Sequence, residues 1–257
     1  MNYKTNFLPS ILFIDSGIGG LSTLSSSFNL THANYIYFAD NKYAPYGTKS
    51  DKFLKERLLK IINFFSKKYN ISIIVLACNT ATTTAISFLR ENFPNLLFIG
   101  TEPAYNVAIF NNFKKPALIA TPQTINHIKE KGLQTFLLFS HKTLASQIEE
   151  NLTSNSPFSN LKILKSLYFL KHKTKKNDCL ILGCTHYILL KEKISKIINL
   201  PIIDGNHGVS NQIHRLYSEN QSSKSSFKII LSQENKLLLQ KYKKILKQIL
   251  ANQINLC

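Results

Sequence analysis

Short runs of branched apolar residues recur along this chain, and each is closed by a small or polar residue and then a stretch of helical period. Residues 11–14, 35–38, 73–76 and 96–99 are runs of this kind in the first hundred positions. The pattern then restarts, with residues 117–120, 135–139, 180–182 and 227–231. Runs this short, rich in Ile, Val and Phe, predict buried strands. Between them, Leu54, Leu58, Ile61, Ile62 and Phe65 share one face of a helix predicted over 50–68. Further helices are expected from residue 21, over 81–92 (stopped before Pro94), from Thr121-Pro122, over 144–152 and over 187–198. A tail helix carries Leu238, Tyr242, Ile245, Leu246 and Ile249 on one side, while the polar segment 153–160 reads as a loop.

Strands alternating with helices imply an α/β fold of parallel sheets covered on both faces. Ligands in such folds bind beyond the carboxyl ends of the strands. Asp15, Asp40, Cys78, Thr101 and Cys184 all fall just past predicted strand ends, which marks them for chemistry.

Composition narrows the classes. With 257 residues, 44% hydrophobic and 18% charged, the chain has enough apolar material for a real core and does not read as disordered. The net charge of +18 raises a nucleic-acid-binding reading. The lysines are spread over every segment and arginine occurs only at Arg57, Arg90 and Arg215, so the charge reads as a lysine-rich surface and nucleic acid is not an expected partner. No apolar run approaches a membrane span and no secretory h-region opens the chain; a cytoplasmic protein with reduced thiols is expected. No C-x-x-C spacing joins the four cysteines, so no metal site is expected.

Two segments share one design. Ile73-Ile74-Val75-Leu76 runs into Ala77-Cys78-Asn79-Thr80, and Cys179-Leu180-Ile181-Leu182 runs into Gly183-Cys184-Thr185-His186. Each sets a thiol between a strand and a helix start, where free N–H groups and the helix dipole favour an anion. Lowering a thiol's pKa there requires about 1.4 kcal/mol per unit, and a helix N-terminus with nearby donors can supply one or two units. Cys179 reads as a buried hydrophobe and Cys257 as incidental. The turn Gly17-Ile18-Gly19-Gly20 after a strand imitates a dinucleotide fingerprint, but Ser22 stands at its third glycine position. Asp15-Ser16 at the strand end fits a small anionic ligand better.

These residues carry a family resemblance. Asp15-Ser16-Gly17-Ile18-Gly19-Gly20-Leu21, Tyr37-Phe38-Ala39-Asp40 with Pro45-Tyr46-Gly47, Ala77-Cys78-Asn79-Thr80-Ala81 and Leu182-Gly183-Cys184-Thr185-His186-Tyr187 resemble, in order, the signature blocks of glutamate racemase. The resemblance implies a cofactor-independent racemase of the aspartate/glutamate racemase superfamily that makes D-glutamate for peptidoglycan. By the same resemblance, Cys78 and Cys184 are the acid/base thiols, assisted by Asp15 on one side and by Glu149 and His186 on the other. Substrate would be held by Asp15, Ser16, Tyr46, Gly47, Asn79, Thr80, Thr185 and His186. The chain departs from the pattern at Ile188, where the family usually has proline, and at Asp204-Gly205-Asn206. The resemblance further implies two doubly wound α/β domains, pseudo-symmetric about a shared cleft. Residues 1–100 plus 209–257 would form the first, with Cys78, and 101–208 the second, with Cys184. A homodimer is compatible with it. The rivals are aspartate racemase or another two-cysteine racemase, a dinucleotide-dependent oxidoreductase, and a basic nucleic-acid-binding protein.

Overall fold

The computed structural model describes residues 9–28, 30–154, 157–217 and 225–254. Cys257 lies outside the described residues. Two sheets organise the chain. The first has the strand order β4-β3-β1-β2-β9, where β1 is Ser10–Asp15, β2 Asn34–Ala39, β3 Ile71–Leu76, β4 Leu97–Gly100 and β9 Ser226–Leu231. The second has the order β6-β5-β7-β8, with β5 Pro116–Ala120, β6 Leu137–Ser140, β7 Cys179–Gly183 and β8 Ile202–Ile203. Every pairing in both sheets is parallel.

Helices cover both faces of each sheet, as the near-continuous apolar strands require. On one face of the first sheet, Phe13, Tyr35 and Val75 pack with α1 (Leu21–Phe28), α10 (Asn206–Tyr217) and α11 (Lys236–Ile254). On its other face, Leu12, Ile14 and Ile74 pack with α2 (Asp51–Lys68) and α3 (Asn79–Asn92). The expected stripe of Leu54, Leu58, Ile61, Ile62 and Phe65 is the buried side of α2. The second sheet buries Leu180 and Leu182 under α6 (Leu144–Ser154) and α7 (Pro157–Lys173), and Leu118 and Ile181 under α4 (Tyr105–Phe110) and α5 (Pro122–Ile128). Local chemistry sets the helix ends. The Ser50 side chain caps α2 by accepting from the Phe53 N–H at 3.3 Å, and Thr121 caps α5 ahead of Pro122.

Two expectations need correction. The described residues of the segment expected as a loop, 153–154 and 157–160, are helical: α6 runs to Ser154 and α7 starts at Pro157. Helix α7 escaped notice because its apolar residues ring it. Ile163, Leu167 and Leu170 face the core, while Phe158 (74% exposed), Leu161, Tyr168 and Phe169 face outward, so no single-sided period survives. The helix expected over 187–198 is broken into α8 (Thr185–Ile188), a single turn, and α9 (Lys191–Ile198). Tyr187 is completely buried from α8, and Ile194 and Ile198 are buried from α9. Helices α4 and α10 were not among the expected elements; α10 nonetheless buries Val209, Ile213 and Tyr217 at helical spacing. Among the described residues, no helix is long and apolar enough to cross a membrane.

Candidate active site

Register brings the carboxyl ends of the strands together. Asp15 pairs with Ala39 and Ile14 with Leu76, so Asp15-Ser16, Asp40 and Ala77-Cys78 follow at one edge of the first sheet. Ala120 pairs with Gly183, which sets Thr121 and Cys184 at the matching edge of the second. The two edges touch. Thr185 Oγ1 donates to Asp15 Oδ2 at 3.1 Å, the Ile18 N–H donates to Glu149 Oε2 at 2.9 Å, and Thr80 Oγ1 lies 3.0 Å from Thr121 Oγ1. The glycine turn permits this approach: a Cβ on Gly19 would sit 2.7 Å from the His186 backbone nitrogen, and one on Gly17 would sit 2.4 Å from Glu149 Oε2.

Cys78 is the N-cap residue of α3 and Cys184 that of α8. Both carry free thiols and are buried to within a few per cent, at 7% and 6% exposure. Burial pushes the Cys78 thiol up to about 12; the charges of Asp15 and Cys184 add to the rise, and the Ala81 and Thr80 N–H groups oppose it. The depressed pKa expected at this helix start is therefore not found. Desolvation and a neighbouring carboxylate outweigh the dipole and two donors. Cys184 stands before a helix of one turn, which offers little dipole, and its electrostatic partner is His186 Nδ1 at 4.0 Å.

Around Cys184, His186 Nε2 meets Glu149 Oε2 at 2.6 Å. Burial disfavours the His186 imidazolium, yet Cys184 and Glu149 together hold its pKa well above the usual histidine value. Burial likewise works against the Glu149 carboxylate, but His186, the Ile18 N–H and the Tyr242 hydroxyl keep it below the usual range. Both directions favour the carboxylate–imidazolium form of the pair. Around Cys78, Asp15 is fully buried and its pKa rises to about 6, driven by burial and by the Glu149 charge, against the pull of His186, the Gly17 N–H and the Thr185 hydroxyl.

The remaining expected residues lie along the same rim. Ser16 is buried next to Asp15. Tyr46 is buried and donates to Asp40 Oδ2 at 2.8 Å, where the Arg57 guanidinium also binds through Nε (2.8 Å) and, to Oδ1, through Nη2 (2.6 Å). Gly47 faces Thr121 so closely that a Cβ would lie 2.8 Å from the Thr121 Cβ. Asn79 Nδ2 donates to the Thr101 carbonyl at 2.9 Å, and among the described residues its buried Oδ1 and the Thr101 hydroxyl have no partner. Three threonine hydroxyls, those of Thr80, Thr121 and Thr124, close a triangle of 3.0, 3.1 and 3.0 Å. In the sequence, Thr121 is marked only as a helix opener and Thr124 by nothing local. Tyr242 belongs by pattern to an apolar stripe, yet its hydroxyl donates to Glu149 Oε1 at 2.7 Å. Among the described residues, no three His, Cys, Asp or Glu side chains are grouped to hold a metal ion.

No family model matches the chain. Whole-chain similarity is clear nonetheless. A glutamate racemase of Buchnera aphidicola is 37% identical over 249 residues, 93% of each chain, and one of Clostridium botulinum is 34% identical over 91% of this chain and 95% of its own. Among solved structures, the glutamate racemase of Francisella tularensis in complex with D-glutamate superposes with a TM-score of 0.74 at 25% identity, covering 95% of this chain and 94% of that one. With the strand–thiol segments present in both halves and similarity running nearly end to end, the chain belongs to the glutamate racemase family, and is an amino-acid racemase.

Proposed function

We propose that this chain interconverts L- and D-glutamate with Cys78 and Cys184 as its two acid/base groups, so supplying D-glutamate for peptidoglycan in the cytoplasm. The observation that carries this reading is the presentation of two buried thiols from matched strand ends of two sheets, close enough for one charge to bear on the other. We assign residues 1–100 plus 209–257 and residues 101–208 as the two domains that bring them together. Val209, Ile213, Ile229 and Tyr242 pack in the core of the first sheet, in keeping with that division.

Racemisation removes the α-proton from one face and returns a proton to the other. The two sides of the site differ in their surroundings. Cys78, held as a thiol by burial and by Asp15, is a proton donor; Cys184, beside an imidazolium, has a partner for a negative sulfur. In one direction the Cys184 thiolate takes the α-proton, and the Cys78 thiol delivers its own proton to the opposite face. The new Cys78 thiolate then faces the Thr80 and Ala81 N–H groups. The reverse reaction runs the same transfers backwards. Asp15, with a pKa near 6, can take up a proton close to Cys78 and so relieve the charge opposing its ionisation. The unpartnered Asn79 Oδ1 is an acceptor suited to an ammonium group, and the threonine triangle offers hydroxyl donors to a carboxylate.

The test is optical and isotopic. Purified protein without added cofactor should abolish the circular dichroism of L-glutamate, with L-aspartate turned over far more slowly. In D2O, newly formed D-glutamate should carry deuterium at Cα. Product that retains the original hydrogen would exclude two opposed bases. Cys78→Ala and Cys184→Ala should each lose racemisation while keeping the native far-UV spectrum; steady turnover in either variant removes that cysteine from the scheme.

A further inference from the structure

Helix α11 belongs to the cluster that packs on the first sheet, where Tyr242 and Leu246 are fully buried, yet it reaches across to the Cys184 side of the site. Tyr242 Oη donates to Glu149 Oε1 at 2.7 Å, and the neighbouring Lys241 Nζ donates to the Thr153 carbonyl. The other Glu149 oxygen, Oε2, receives the Ile18 N–H at 2.9 Å and meets His186 Nε2 at 2.6 Å. His186 Nδ1 in turn lies 4.0 Å from Cys184 Sγ. Gly17 flanks the carboxylate so tightly that a Cβ there would be 2.4 Å from Oε2. Both oxygens of Glu149 are thus fixed, one by the last helix of the chain and one by the glycine turn and the imidazole.

We propose that Tyr242 is a positioning residue for the Cys184 half of the reaction: by holding Glu149 Oε1 it aims Oε2 at His186, which is thereby oriented against the thiol. This rests on the reading of Cys184 as an acid/base group and adds to it a dependence on a helix that packs with the opposite sheet. Without the hydroxyl, Glu149 loses a fixed donor and can turn its carboxylate away from His186, so the ring is no longer set against Cys184. The charged and titratable groups facing Glu149 are His186 and Asp15, with the Tyr37 and Tyr242 hydroxyls, and Lys241 lies one position from the tyrosine. The Cys78 side has no hydrogen bond from α11 among the described residues, so the effect should be one-sided.

The experiment uses the full chain with Tyr242→Phe, which keeps the ring in the core and removes only the hydroxyl. The expected loss in kcat is about tenfold, in the range found when outer-shell partners are removed, with KM for glutamate little changed. The deciding measurement is the primary isotope effect with α-deuterated L- and D-glutamate. It should rise for the enantiomer deprotonated by Cys184 and fall for the other, because only one proton transfer is slowed. Glu149→Gln should give an asymmetry of the same sign, and Tyr242→Phe should add nothing further in that background. Isotope effects that stay balanced in Tyr242→Phe, or losses that multiply in the double variant, would overturn the proposal. A native chain inactive on glutamate removes the functional reading and this inference with it. An active native chain with balanced isotope effects in the variant removes the inference alone.

Discussion

Asp15 is a carboxylate that folding favours in its protonated form. Its pKa of about 6, against 3.8 outside the fold, means that the native state binds more protons between those values. The stabilisation offered by the protonated form is therefore complete below 3.8 and gone above about 6, and at neutral pH the buried charge costs up to about 3 kcal/mol. Asp15→Asn should lift that cost. Its stability relative to the native chain, measured by urea unfolding, should be greater at pH 7.5 than at pH 4.5 by about 2 kcal/mol. An equal difference at both values would mean that Asp15 is not strained by its burial. A group held at such cost beside Cys78 is what a stability–function trade-off looks like at one side chain. Cys78, Cys184 and Asp15 were legible in the sequence because each directly follows an apolar run that could only be a strand. Tyr242 was not, since its partner lies 93 positions away and nothing local marks the hydroxyl. The pKa of Cys78 was misjudged for a related reason: the helix start is local and visible, while the burial and the Asp15 charge that oppose it come from the assembled fold.

At the scale of elements, one-sided periodicity was the deciding signal. Helix α2 shows it and was placed within a residue of its bounds. Helix α7 has apolar residues on both sides and was missed, although its inner face carries as much of the second sheet's cover as α6 does. The two faces should respond differently to truncation. Leu167, fully buried, should cost about 2–5 kcal/mol as Leu167→Ala, because the cavity left against the sheet cannot be refilled by solvent. Phe158→Ala, at a site 74% exposed, should change stability by no more than about 0.5 kcal/mol. Urea midpoints for the pair check the assignment, and similar losses at the two positions would contradict the observed orientation of α7. The break between α8 and α9 belongs to the same scale. Sequence period alone merges them, because Tyr187, Ile194 and Ile198 fall at i, i+7 and i+11 on one helical face, so the apolar pattern carries no mark of the interruption at Leu189 and Leu190.

For the whole molecule the chain's order along its length differs from its order in space. It builds four strands of one sheet, crosses to build the other, and returns to add β9 beside β2, pairing Tyr35 with Phe227 and Ala39 with Leu231. The alternation of strands and helices announced parallel sheets, but no local signal distinguishes a late strand that returns from one that continues the second sheet; only the family resemblance suggested the return. The proposed domains make a physical claim about cooperativity. Strand β9 and helix α11 complete the core that contains Phe13, Tyr37 and Val75, so these segments should open together although nearly the whole chain separates them in sequence. Native-state hydrogen exchange in low urea, read by mass spectrometry, should place peptides from β9 and α11 in the same exchange group as β1 and β3. Peptides from β5 and β7 should form a second group. Exchange of β9 in step with β7 would refute the division at residues 101 and 209. Addition of glutamate should then protect the strand ends of both groups at once, since Asp15, Thr80, Thr121 and Thr185 are already joined across the boundary by hydrogen bonds that a shared ligand would reinforce.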